Sequence, residues 1–410
     1  MRKPLSLFLA LFFCLIASPL SALLSDSDPK NFFALLENSS VVVLAKVKSS
    51  QVPKAEQRFY LYQLKASRVL KGPQDMRSLG VMDESLTPGE PARLPSEGEF
   101  LVFLGKIPAF TAYQALSRQG YDYRLLGGPS GVLPNSDETA TLASRYLQTE
   151  SAKRYAILLQ ALEGSNPRLS GDAALALAGA GKIDFTGEEI EAISTAILER
   201  PLPDAAKVAL VKALENSGGA PGVQALRKIS DAPPSPAKWA AIRALDRLGF
   251  PRPVDRLADD FRHSNDNEKN SVLGLILSKK DSAAEEFVAG VLAGPFAVEV
   301  KKTAMDRMAE NKTPGYESLL LKQVPQGEEV LRAQAVLALG KMGSSQAVPL
   351  VIPLLDSPLP ALRAAAFFIL TESSDPRAEE LINKRYTRDH HGVWEQNQHF
   401  YGNTGPARPQ

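Results

Sequence analysis

Cysteine is nearly absent from this sequence: the single one, Cys14, falls inside an N-terminal apolar run. Loss of that run would leave no thiol, which excludes disulfide staples and thiol nucleophiles. Histidine is scarce as well, and three of the four stand together between Arg388 and Gln410. An excess of either charge is also missing. The 47 basic and 46 acidic residues give a formal charge of +1, which excludes the strongly basic surface expected of a nucleic-acid binder. No His-Glu-x-x-His run, Gly-x-Ser-x-Gly elbow or paired-carboxylate motif in a recognisable context occurs. What remains is an ordinary folded composition, 44% hydrophobic and 23% charged over 410 residues, long enough for two or three domains.

The first 22 residues have the three parts of a secretory signal. Arg2 and Lys3 are followed by an apolar run from Leu5 to Ala17 and a small-residue stretch from Ser18 to Ala22. Cleavage after Ala22 is expected, although Leu20 is larger than the residue usually found at its position. The apolar run is shorter than the roughly 20 residues a spanning helix needs, so no integral membrane segment is expected after cleavage. Removing Arg2 and Lys3 leaves 45 basic against 46 acidic residues. The expected location is extracytoplasmic, periplasmic or secreted.

Residues 23–135 read as a β-rich domain. Asp28-Pro29 has the form of a helix start, with Asp28 as N-cap, and the short helix it opens should end near Asn38. Val41 to Val47, Phe59 to Leu70, Phe100 to Leu104 and a segment around Tyr121 to Leu126 carry strand signals. Gly72-Pro73 and Gly127-Gly128-Pro129 read as turns, and Glu84 to Gly98 as a polar loop. Short strands in this order imply a small barrel or sandwich.

The runs Val41–Val47, Val69-Leu70-Lys71-Gly72, Gly98–Leu104 and Gly127–Gly131 resemble the netrin-like, tissue-inhibitor-of-metalloproteinase-like form of the OB barrel. In that family inhibition depends on an N-terminal cysteine that chelates zinc, and this chain has none there. The resemblance therefore implies the fold without the activity. Lys71-Gly72 reads as a turn between strands.

From Ser136 onward helix formers replace strand formers. Helices are expected at Asp137–Gln148 and Ala152–Leu162, within a bridge spanning 136–164. Beyond it a repeat appears along one apolar column: Leu177, Leu214, Leu245, Leu277, Met308, Leu339 and Leu370, in steps of 37, 31, 32, 31, 31 and 31 residues. Four residues before each member stands Ala173, Leu210, Ala241, Leu273, Ala304, Ala335 or Ala366, one helical turn away and on the same face. A third column, seven residues before the first, holds Lys207, Lys238, Lys301, Arg332 and Arg363, with Ser170 and Asn270 as exceptions. Its charges are expected to stay solvated near helix starts. Gly181, Gly218, Gly249 and Gly343 follow the helices where a left-handed cap is expected.

These units resemble HEAT repeats of the short, roughly 31-residue kind over residues 165–387, clearest at Leu331 to Gly340 and Leu354 to Ala366. A pair of helices that small cannot bury a core alone and must stack on its neighbours. The expected fold class is thus α+β multidomain: a small OB-like β-barrel, then an α-helical HEAT-like solenoid, then a tail at 388–410.

Candidate sites were weighed against plainer roles. Gly179-Ala180-Gly181-Lys182 has part of a phosphate loop, but Ala176 and Ile183 stand where that loop requires glycine and Ser or Thr. A helix cap is the better reading. Asp389-His390-His391 has the letters of a phosphoesterase motif without the other aspartates. His390, His391 and His399, beside Trp394, Phe400 and Tyr401, could bind a transition metal, yet a flexible or docking tail is the simpler assignment. His263 falls in a polar loop, His263 to Asn267. No catalytic, cofactor or metal residue is assigned, and no enzyme activity is expected. The expected function is protein or peptide binding on the solenoid surface, with oligomeric state left open. The alternatives are a bilin-lyase-like HEAT-repeat enzyme and a protease inhibitor acting through the β domain.

Overall fold

The computed structural model describes residues 31–51, 59–84, 94–107, 116–388 and 394–396. The signal segment, Cys14, Asp28-Pro29, Asp389-His390-His391 and His399 to Tyr401 lie outside the described residues. The chain divides into two compact units, residues 1–232 and 233–410.

The first unit opens with helix α1 (Phe32–Asn38) and six strands: β1 (Val41–Gln51), β2 (Phe59–Lys71), β3 (Ser78–Glu84), β4 (Phe100–Lys106), β5 (Tyr121–Leu125) and β6 (Val132–Pro134). The described N-cap of α1 is Asn31 rather than Asp28; its side chain accepts from the Phe33 and Ala34 amides. Strand order is β1-β2-β3-β5-β4-β6, and β4 also pairs with β1, so five strands return on themselves in a near-barrel ring. The β3–β5 pairing is parallel and the others are antiparallel.

Val43, Tyr62, Leu64, Val81, Val102 and Leu104 belong to the buried cluster of the ring. Val42 and Phe103 are buried as well, although the strand alternation sends them to the opposite face. There α1 covers Phe103, with the Phe32 and Phe103 rings edge to face at 5.8 Å. Burial on both faces explains why β1 and β4 read as continuous apolar runs instead of alternating ones. Lys71, at the end of β2, extends its ammonium to the carbonyls of Leu36 and Glu37 at 2.9 and 2.7 Å. It thereby satisfies two of the orphan acceptors at the C-terminus of α1, a role beyond that of a turn residue.

The remaining helices of this unit are α2 (Asp137–Gln148), α3 (Arg154–Glu163), α4 (Pro167–Gly179), α5 (Gly187–Glu199), α6 (Asp204–Ser217) and α7 (Gly219–Ser230). The second unit contains α8 (Pro236–Arg247), α9 (Val254–Arg262), α10 (Asp266–Leu277), α11 (Ser282–Ala293), α12 (Val298–Asn311), α13 (Pro314–Gln323), α14 (Glu329–Met342), α15 (Val348–Val351), α16 (Pro360–Glu372) and α17 (Pro376–Arg385), with the short strand pair β7 (Tyr386–Arg388) and β8 (Trp394–Gln396).

Every member of the two apolar columns is buried, from Leu177 and Ala173 to Leu370 and Ala366. In the first unit they lie on α4 and α6. In the second they lie on α8, α10, α12, α14 and α16, each of which packs against the next. The glycines work as caps at two clear places. Phe250 and Gly249 amides donate to Leu245 and Asp246 carbonyls, and Ser344 and Gly343 amides to Leu339 and Gly340 carbonyls. Both sets form the double bond pattern that ends a helix on a left-handed residue, with φ at +88° for Gly249 and +74° for Gly343.

The cationic column is less solvated than expected. Lys238 is buried and pairs with Asp260 at 2.7 Å, beside Arg252 at 3.0 Å from the same carboxylate. At three other positions the column caps the preceding helix or turn. Ser170 Oγ donates to the Ala161 carbonyl at the end of α3, Arg332 to Val324 after α13, and Arg363 to Ser357 after the turn at Ile352–Asp356, at 3.0, 2.9 and 2.6 Å. A donor at this position satisfies a helix end that would otherwise lack a partner.

Candidate functional site

Helix α1 is joined to α4 by two hydrogen bonds. Phe32 N–H donates to Asp172 Oδ2 at 2.9 Å, and Asn31 Nδ2 donates to the Asp172 carbonyl at 2.6 Å. Burial raises the Asp172 pKa above the usual carboxylate range, opposed by the Phe32 amide and by Arg168. Arg168 also donates to the Ser130 carbonyl at 2.6 Å, tying α4 to the end of the ring.

Beside this joint is a cleft of about 990 Å³ lined by α1, α2, α3, the C-terminal part of α4 and the loop after it. Its polar part centres on Glu37. Tyr146 Oη donates to Glu37 Oε1 at 2.7 Å, and Arg154 approaches the same oxygen at 3.2 Å. The Arg154 guanidinium lies 4.9 Å from the Tyr146 ring centroid, a cation–π arrangement. Burial first, then the bond to Glu37, pushes the Tyr146 phenol well above its ordinary range, so it remains a donor at neutral pH. Burial and then Arg154 lower the pKa of nearby Lys71, while Glu37 acts in the opposite sense.

The apolar part includes Phe33, Tyr155, Leu158 and Leu175. Leu175 is 44% exposed although it lies on a helix whose other face is core. Such a cleft can take an extended chain that carries both an apolar side chain and hydrogen-bonding groups.

Gly179 to Lys182 contributes to the rim. Helix α4 ends at Gly179, Gly181 adopts φ +77°, and Lys182 stands 3.6 Å from Asp184; the segment is a helix end. His263 closes α9, its ring Nδ1 2.8 Å from the Asp259 carbonyl, while Asn265 caps α10 with Glu268 closing the capping box. Among the described residues no group of three or more His, Cys, Asp or Glu is placed to hold a metal ion, and no helix is long and apolar enough to cross a membrane. The Glu37–Tyr146–Arg154 cluster was not legible from the sequence, because Tyr146 and Arg154 lie 109 and 117 residues from Glu37 and meet it only in the folded chain, where α1 packs on α2 with the Phe33 and Tyr146 rings at 5.0 Å.

Successive helix pairs that share buried apolar columns define an α-solenoid. Residues 299–396 match the family model for HEAT repeats. Among solved structures the chain is similar to human deoxyhypusine hydroxylase in complex with glycerol, at 15% identity and a TM-score of 0.27, covering 57% of this chain and 87% of that one. No curated protein matches this sequence.

Proposed function

We propose that this chain is an exported, non-enzymatic binding or scaffolding protein that holds a peptide or protein segment on its helical-repeat surface. The observation that carries the reading is the open cleft in the first unit, where exposed Leu175 and the Tyr155 ring stand beside the Glu37–Tyr146–Arg154 cluster. An apolar wall next to oriented polar groups suits side-chain capture with backbone hydrogen bonding. Export is supported by the charged start and the apolar run from Leu5 to Ala17. The ring order β1-β2-β3-β5-β4-β1 supports an OB-type reading of the β domain, here as a platform that fixes α1 against α4.

The test is selection from a displayed peptide library on the full mature chain, alongside Leu175→Asp. Enriched sequences whose binding falls at least tenfold in the variant, with an unchanged melting temperature, are the expected result. A library that yields no enrichment over background refutes the cleft as a peptide site. For export, fractionation and N-terminal mass analysis should find a chain beginning at Leu23 outside the cytoplasm; an intact Met1 inside it overturns that part.

A further inference from the structure

Repeat stacks close their terminal units with a polar outer face, yet α16, which carries the last member of the apolar column, turns a large apolar side chain to water. Phe368 is 55% exposed, the highest value among the exposed large hydrophobic side chains of the described residues. Its neighbour Phe367 is covered instead, by the Tyr386 ring of β7 at a centroid distance of 4.6 Å, and both pack on the margin of the core. With 3.6 residues per turn, consecutive side chains point about 100° apart. Phe368 thus stands at the edge of the covered patch and stays bare.

The chain returns to this same edge. Strand β8 pairs antiparallel with β7 and sets Gln396 opposite Tyr386, an arrangement that holds the two Cα atoms about 4.5–5.5 Å apart. The residues from Asn397 onward therefore start beside the ring that covers Phe367. Phe400 and Tyr401 come next but three and four in sequence, and four extended residues reach up to about 14 Å. They are the only large apolar side chains in residues 397–410, a stretch that also contains no carboxylate to desolvate.

We propose that the C-terminal tail folds back on the last repeat, seating Phe400 and Tyr401 on Phe368, and so caps the array from within the chain. Aromatic rings meet favourably in offset or edge-to-face geometry, and the contact would complete the patch that Tyr386 begins. A segment tethered this close has an effective concentration on the order of millimolar, which favours it over a second copy of the chain. The cap concerns the second unit alone and does not depend on the cleft of the first.

The test exploits the near absence of cysteine. The full chain with Cys14→Ser receives Phe368→Cys together with Phe400→Cys and is oxidised at low protein concentration, with the disulfide read by non-reducing electrophoresis and mass spectrometry. We expect a cross-link within one chain that forms at least tenfold faster than in Val330→Cys/Phe400→Cys. Val330 is a suitable control: it is 49% exposed and lies at the start of α14, where Glu329 accepts from the Ala361 amide at the start of α16. About two helical turns separate that end of α16 from Phe368. Equal rates at the two positions would mean a tail without a seat and overturn the proposal. So would the absence of any cross-link, or a cross-link between two chains, which would assign Phe368 to an interface between copies. A second readout needs no added cysteine: Phe400→Ser/Tyr401→Ser should lower the melting temperature, and the loss should vanish where Phe368→Ser is already present. An undiminished loss in that background, or no loss in either, also overturns the cap.

Discussion

The β ring and the helical repeats solve the burial problem by different means. In the ring, residues distant in sequence must approach closely: Gly80 of β3 faces Gly120 and Tyr121 at the start of β5, and a Cβ on Gly80 would overlap the Gly120 carbonyl oxygen. In the repeats, each apolar column member has counterparts about 31 residues away and a companion one turn earlier on its own helix. A single small residue can therefore close or open the ring, whereas loss of one column residue damages one interface among several. Stability is concentrated in a few positions in the first arrangement and distributed along the chain in the second.

Three substitutions would break or sharpen this contrast. The largest effect is expected for Gly80→Ala, which must separate β3 from β5 and should cost on the order of 4 kcal/mol. Chemical denaturation followed by a probe in the ring would measure it, and near-native stability would show that the parallel pairing is dispensable. Next comes Leu339→Ala in the centre of the second unit, expected to cost about 2–5 kcal/mol through lost transfer energy and a residual cavity. An unchanged denaturation midpoint would count against the repeat register. The smallest effect should be a gain. Lys312 stands where other repeats carry their capping glycine, four residues after the column member Met308, and it adopts φ +52°. Lys312→Gly should stabilise by about 1 kcal/mol by removing the left-handed penalty of a side chain, read as a raised melting temperature. A fall would mean that the lysine contributes more than its backbone strain.

These contrasts also explain what the sequence made legible. The repeat columns were visible because helical packing demands a fixed residue type at a fixed step, and the structure buries every one of them. Strands β1, β2, β4 and β5 were visible as apolar or aromatic runs. Strands β3 and β6 were not: Ser78-Leu79-Gly80-Val81-Met82-Asp83-Glu84 has too many turn formers to read as a strand, and its pairing with β5 depends on chain more than 40 residues away, as in Gly80 with Tyr121. The solvated ladder expected of the cationic column failed at Lys238, because Asp260 arrives from α9 to neutralise it. The cleft was invisible for a related reason. Nothing near Glu37 in sequence signals Tyr146 or Arg154, and the partnership exists only where the fold packs α1 on α2 and α4.

The donors at Ser170, Arg332 and Arg363 give the array a direction. Each completes the helix that ends just before its own begins, so every such joint depends on residues synthesised after it. A chain cut between two repeats would leave the upstream helix with bare carbonyls at its new terminus, and the lesion would sit on the surviving side. Shortening from the C-terminal end just before Ser170, Arg332 or Arg363 should thus expose one raw helix or turn end, and an array shortened there would recover stability if a replacement donor were grafted at that boundary.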